Sequence, residues 1–379
     1  MCGTTEGKNA AMSKSVADID KNLKVQSSID KEDVVFLDAR EEPFQIYGLY
    51  DYKNEPQFVR MPKAVAEATS ESVQSLNFCT AGGRIRFSTD SAYVAIKTEM
   101  PYLCLMGHMA LAGSAGFDLY VDGELSSTYY KTFFPPSHEG QGYETIIEFP
   151  DRKMRQLTIN FPLYSPVDSL YIGLQNSATV GEGKRYRYEK PVLFYGSSIT
   201  QGACASRPGL CYQGYLSRHL DTDYINLGFS GSCCAEDAVV DYMTGLDISV
   251  FVCDYDHNTT SVQHLEQTHE KMFLKFREKH PDLPVIFITA PNFSETDLFF
   301  PNDPYFDWSA RRDVIYRTYR NAKGRGDQNV YFIDGWSLYD GRDRDSCSVD
   351  ATHPNDLGFF RMAQTIEPVL QTALESTLK

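Results

Sequence analysis

The sequence predicts two unlike folds in series. An antiparallel β-sandwich or jelly roll is expected over residues 33–185, and a parallel sheet with helices on both faces over residues 186–379. Three observations carry this reading. Up to about residue 185, apolar residues recur at period two in short runs closed by Pro, Gly and Asp turns, with hardly any helical period. Beyond it, short apolar runs alternate with long amphipathic stretches. Between the two, Pro191–Tyr195 runs straight into Gly196-Ser197-Ser198-Ile199-Thr200-Gln201-Gly202, a buried strand ending in a turn of small residues.

The front elements follow from alternation. From Val34 the pattern is strand-like, and Arg84–Ser88 and Tyr93–Lys97 flank a Ser/Thr/Asp turn. Phe117–Val121 runs into Asp122-Gly123, a hairpin signal. Tyr143–Phe149, Gln156–Phe161 and Ser169–Leu174 complete the set. Residues 1–32 are polar and aperiodic, a flexible lead, and the charged, Gly-containing stretch Gly181–Lys190 reads as a linker. Strands then follow at Val192–Tyr195, Tyr224–Leu227, Val250–Cys253, Val285–Thr289 and Val330–Ile333. Helices are expected at Gln213–Leu220, His264–Lys279, Ala310–Ala322 and Leu357–Leu374.

Bulk properties exclude several classes. The chain has 379 residues, room for two or three domains, and 42% hydrophobic residues supply real cores. The balance of 36 basic against 51 acidic residues, a net charge of −15, disfavours nucleic acid and anionic membranes as partners. No run of about twenty apolar residues is present, so no transmembrane helix is expected. The start lacks a basic-then-apolar signal, which points to the cytoplasm; the alternative is an exported lipoprotein cut at Cys2. Nine cysteines without a Cys-x-x-Cys pair read as reduced thiols, with a Cys204–Cys211 pair as the alternative. No zinc-finger spacing and no His-Glu-x-x-His occur, so neither a metal nor another cofactor is implied.

The turn after Tyr195 lacks the Gly-Lys-Ser/Thr ending of a phosphate loop. It is either a structural turn or the seat of a hydroxyl nucleophile, since a strand end exposes its residues at the carboxyl edge of a sheet. Later strand ends decide between these. Gly228-Phe229-Ser230-Gly231-Ser232 follows the second strand, where a glycine serves a plain turn or a backbone N–H donor. Asp254-Tyr255-Asp256-His257-Asn258 follows the third, where Asn258 caps a helix or donates to an oxyanion. Asp350-Ala351-Thr352-His353-Pro354 precedes the closing helix, and an acid three residues before a histidine can hold its Nδ1–H. Asp254 and His257 repeat that spacing, and spacing alone does not choose between the pairs.

Taken together, these residues resemble the SGNH (GDSL-like) hydrolases from about residue 190 onward. The order Ser198, Gly231, Asn258, Asp350-x-x-His353 matches the family's four blocks. The resemblance implies a three-layer, flavodoxin-like fold and a serine hydrolase acting on carboxylic esters. Ser198 would be the nucleophile, His353 the base and Asp350 its orienting acid. Ser198, Gly231 and Asn258 would form the oxyanion hole. Gly116-Phe117-Asp118-Leu119-Tyr120 and Ala205-Ser206-Arg207-Pro208-Gly209 resemble a subgroup whose β-sandwich carries a Gly-x-Asp-Leu-Tyr signature. Two departures stand out. Ser197 occupies a place where the family commonly has aspartate, and Asp-Tyr-Asp-His-Asn replaces Gly-x-Asn-Asp. His257 and Arg207 are candidates for substrate contact.

The function these readings imply is a serine esterase removing a small acyl group, possible substrates including a carbohydrate ester, through an acyl-enzyme. The alternatives are an acyltransferase with the same machinery and a non-catalytic carbohydrate-binding protein.

Overall fold

The computed structural model describes residues 28–124, 126–292 and 307–378. Most of the polar lead, Cys2 included, lies outside the described residues.

The front half is a sandwich of two antiparallel sheets. One sheet orders β1 (Val34–Asp38), β9 (Ser169–Gln175), β4 (Tyr93–Glu99) and β7 (Gly142–Glu148). The other orders β10 (Val180–Glu182), β3 (Arg84–Thr89), β8 (Arg155–Asn160), β5 (Phe117–Asp122) and β6 (Ser127–Phe133), with β2 (Gln45–Tyr47) also on β3. Phe87, Leu119, Leu157 and Ile159 of one sheet pack against Val94, Ile96, Ile147 and Ile172 of the other. The period-two pattern requires this, since alternate residues of a strand share a face.

Two elements differ from the sequence reading. Gly181–Lys190 is no loose linker: β10 pairs with β3, and the first parallel strand already begins at Tyr188. The region read as all-strand also holds α1 (Lys63–Thr69) and α2 (Glu71–Leu76). Each spans two turns or fewer, too short to display a helical period. The Ser70 hydroxyl caps α2 by accepting from the Val73 N–H at 3.2 Å.

The back half is a five-stranded parallel sheet. Its order is β12 (Thr222–Gly228), β11 (Tyr188–Gly196), β13 (Val250–Asp254), β14 (Val285–Ile288), β15 (Val330–Ile333), the 2-1-3-4-5 order of flavodoxin-like folds. Side chains split by alternation. Val192, Phe194, Val250, Val252 and Ile286 face Leu216 of α5 (Tyr212–Leu220) and Met362 and Ile366 of α9 (Asp356–Ser376). Leu193, Tyr195, Phe251, Cys253 and Phe287 face α6 (Asp237–Met243), α7 (Val262–Lys279) and α8 (Trp308–Gly324). The strands therefore read as unbroken apolar runs, buried on both faces. Two short helices, α3 (Leu111–Ser114) and α4 (Ser198–Gln201), complete the numbering.

The halves share their cores. Met61, Ala66 and Val73 of the front belong to the cluster under α6 and α7. Ala81, Met109, Leu163 and Tyr164 belong to the cluster under α5 and α9. Two fully buried arginines cross the boundary. Arg60 donates to the Gly228 carbonyl at 2.5 Å and the Leu76 carbonyl at 2.7 Å. Arg84 pairs with Asp223 and donates to the Tyr224 carbonyl at 3.2 Å. No helix among the described residues is long and apolar enough to cross a membrane.

Candidate active site

The strand β11 ends in a turn with no room for a side chain at its last residue. A Cβ on Gly196 would overlap the Asp254 carbonyl oxygen and the Thr200 hydroxyl. Ser197 then caps α4, its hydroxyl accepting from the Ile199 N–H at 3.2 Å. Aspartate, common at this place in the resembling family, caps helices by the same geometry. Ser198 is the first residue of α4, so its N–H has no intrahelical acceptor. The Tyr164 hydroxyl, from the front half, donates to the Ser198 carbonyl at 3.2 Å.

Three side chains from two distant segments form a row. Ser198 Oγ lies 2.9 Å from His353 Nε2, and His353 Nδ1 lies 2.7 Å from Asp350 Oδ2. Partial burial pushes the Asp350 carboxyl up. The His353 backbone N–H, ring and charge outweigh that and hold it below its ordinary value. An ionised Asp350 can only accept, so Nδ1 carries the proton and Nε2 offers its lone pair to the Ser198 hydroxyl. The loop is locally tied. Asp350 Oδ1 accepts from the Thr352 and His353 N–H groups at 3.0 and 2.7 Å, with Ala351, between Asp350 and Thr352, at φ +64°. The Ser348 hydroxyl donates to the His353 carbonyl at 3.0 Å.

The second and third blocks meet beside this row. Gly231 sits at φ +67°, a left-handed conformation that glycine takes without strain. The Ser230 N–H donates to Gln201 Oε1 at 2.9 Å, fixing the loop to α4. The Cys233 N–H donates to Asn258 Oδ1 at 3.4 Å, which orients the amide. Asn258 Nδ2 has no acceptor among the described residues.

The rival Asp-x-x-His pair is dispersed. Asp254 turns under α4, where the Thr200 hydroxyl donates to its Oδ2 at 3.2 Å. Burial, then the Asp256 charge, push the Asp254 carboxyl well above its ordinary value. His257 packs on Trp308, ring centroids 4.9 Å apart. Burial, the neighbouring His353 and Arg311 pull its imidazole down to about 3. Cys204 and Cys211 are unpaired, like every cysteine among the described residues.

Both halves of the chain match known families. Residues 189–371 match the GDSL-like lipase/acylhydrolase family, and residues 34–180 match the GxDLY N-terminus of SGNH-hydrolase-type esterases. A solved protein from Bacteroides ovatus ATCC 8483, named as a GDSL-like lipase, shares 27% identity with a TM-score of 0.81. The match spans 90% of this chain and 98% of that one. The chain belongs to the GDSL-like hydrolase family, in the GxDLY-bearing subgroup.

Two further solved structures widen the comparison. A salicylyl-acyltransferase from a tetracycline biosynthetic pathway matches at 18% identity and TM-score 0.69, covering 90% of this chain and 98% of that one. A family two carbohydrate esterase from Cellvibrio japonicus matches at 12% identity and TM-score 0.57, covering 91% and 99%. At these identities the likeness is one of fold. No curated protein matches the chain in sequence.

Within this GDSL-like hydrolase the two subgroup signatures, one in each half, meet each other. Arg207 Nη1 donates to Asp118 Oδ2 at 2.9 Å and to the Tyr120 hydroxyl at 2.5 Å, and its guanidinium lies 3.7 Å from the Tyr129 ring centre. The Gly209 N–H donates to the same Asp118 oxygen at 2.8 Å. Arg207, a candidate for substrate contact from sequence, is thus engaged in joining the halves. Sequence reasoning missed Tyr164, Arg60 and His108, whose ring lies 5.7 Å from that of His353. Nothing local in the front half marks these residues, because their partners lie in the other half.

Proposed function

We propose that this GDSL-like hydrolase is a serine esterase that removes a small acyl group through an acyl-enzyme, with an acylated carbohydrate as substrate. The observation that carries the reading is the Ser198–His353–Asp350 row, standing at the carboxyl edge of the parallel sheet. His353 Nε2 takes the Ser198 proton as Oγ attacks the ester carbonyl. Asp350 holds the imidazole in the tautomer this needs and stabilises the imidazolium that follows. The Ser198 and Gly231 N–H groups and the Asn258 amide receive the oxyanion. Loss of one such donor commonly costs about 10²–10³ in rate. The imidazolium protonates the leaving alcohol, and water then repeats the sequence in reverse. No step calls on a cofactor.

The carbohydrate part rests on the sandwich in front and on the likeness of fold to family two carbohydrate esterases. One of these, from Clostridium thermocellum, was solved with cellohexaose. An intact hydrogen-bonded row favours catalysis over binding alone. The test is a panel of nitrophenyl esters from acetate upward beside acetylated sugars, with Ser198→Ala as control. Turnover of acetyl esters that vanishes in the variant is expected. Labelling of Ser198 by a fluorophosphonate should accompany it, and failure of both ends the serine reading. Adding an alcohol acceptor and analysing products separates hydrolysis from acyl transfer.

A further inference from the structure

We propose that His108, Cys204 and His353 form a binding site for a zinc-type divalent cation, and that the cation inhibits the enzyme by occupying its base. The inhibition half rests on the serine-esterase reading above; the binding half does not.

The chain shows no metal motif because the three ligands come from three distant segments. Folding brings one ligand atom of each within 4.8 Å of the other two. A tetrahedral zinc centre needs ligand atoms about 3.3–3.9 Å apart, from Zn–N near 2.0 Å and Zn–S near 2.3 Å. His108 can close that gap. It is exposed on the Met106–Met109 turn and rotates without disturbing the core. The backbones that carry the other two are tied to each other. Cys204 is buried beneath the site, and its N–H donates to the Pro354 carbonyl, next to His353, at 2.8 Å.

Two imidazoles and a thiolate are a borderline-soft donor set. It selects zinc-type cations over magnesium and calcium, which prefer oxygen. On binding, the Cys204 Sγ–H bond breaks, the proton leaves to bulk water, and an Sγ–metal bond forms. Both histidines bind through ring lone pairs, with water completing the coordination. A cation on either ring nitrogen of His353 removes the base. At Nε2 it takes the lone pair that receives the serine proton; at Nδ1 it displaces Asp350, the ring proton moves from Nδ1 to Nε2, and the same lone pair is lost. The site joins the front half to the back, so the sandwich carries a means of switching the row off.

The test uses the full chain. Cobalt(II) titration should raise a thiolate-to-cobalt charge-transfer band that saturates at one ion per chain. The band should vanish in Cys204→Ala, and its midpoint should weaken at least tenfold in His108→Ala, with circular dichroism showing both variants folded. His108 is exposed, so its variant keeps the test decisive should the buried cysteine variant fail to fold. Zinc should suppress nitrophenyl ester turnover and slow fluorophosphonate labelling of Ser198, a chelator should restore both, and magnesium should do neither. Absence of the band, or its persistence in Cys204→Ala, overturns the site. A band that depends on both residues with no change in turnover or labelling overturns the inhibition alone. If no ester is turned over, the band still judges the site by itself.

Discussion

Arg207 Nη1 lies 2.9 Å from Asp118 Oδ2, and the Asp118 side chain is fully buried. The same carboxylate accepts from the Gly209 N–H at 2.8 Å and, through Oδ1, from Asn160 Nδ2 at 2.7 Å. One aspartate of the sandwich thus holds the loop that follows the Ser198 turn. The pair links the two signatures of the subgroup, and its energetics are those of a buried, multiply bonded charge.

Removing it should therefore be costly. Asp118→Ala strands the Arg207 guanidinium and the Gly209 N–H, and breaking such a pair costs about 3–5 kcal/mol. The lower end is expected, since Arg207 is partly exposed. Urea unfolding followed by fluorescence measures it. A loss under about 1 kcal/mol would mean the clamp contributes little.

Adjacent serines should separate stability from rate. Ser197→Ala removes a cap and should cost about 0.5–2 kcal/mol while keeping most activity. Ser198→Ala should unfold like the parent and lose about 10⁴-fold or more in kcat. Equal losses of activity in both variants would contradict the assignment of the nucleophile.

The two Asp-x-x-His pairs should differ in the same assay. His353→Ala is expected to cost about as much as Ser198→Ala, because members of one unit fail together, and Asp350→Asn somewhat less. His257→Gln should cost less than either and act partly through KM. Because His257 is held down to about 3, it stays neutral across the working range. A rate that needs a neutral histidine base falls toward acid pH, and this acid limb should persist in the variant. Disappearance of that limb in His257→Gln would make His257 the base.

Buried histidine should also set part of the acid stability. His269 is buried against Thr318, and burial pulls it down to about 3, below the ordinary value of about 6.5. The unfolded chain takes up this proton first, so the contribution is full above about pH 6.5 and is lost as pH falls toward 3. His269→Gln should therefore lose less stability than the parent between pH 7 and 5 in urea titrations. Parallel curves would refute this.

The back half should not stand alone. A fragment of residues 186–379 exposes the faces that Met61, Val73, Leu163 and Tyr164 cover and loses the Arg60 bond to Gly228. It should be insoluble or unfolded and inactive on a small nitrophenyl ester. A soluble fragment with the full rate would show the sandwich to be a detachable module.

What the sequence by itself determined is what depends on neighbours along the chain. Period-two runs become sandwich strands because alternate residues share a face. Val192–Tyr195 and Val250–Cys253 become central parallel strands because both of their faces are apolar. Ser198 is marked by its strand and turn, and Asp350-x-x-His353 by a spacing that lets a carboxylate reach back to a ring nitrogen. Only the tertiary structure decided between the Asp254–His257 and Asp350–His353 spacings. The two share one spacing and differ in which one the closing loop carries to Ser198 Oγ. It alone showed Arg207 joined to Asp118, Tyr164 on the Ser198 carbonyl, and His108 and Cys204 beside His353. Each of these contacts joins residues far apart in the chain. Their pairing is set by how a sandwich and a parallel sheet share their cores, and no local pattern records that.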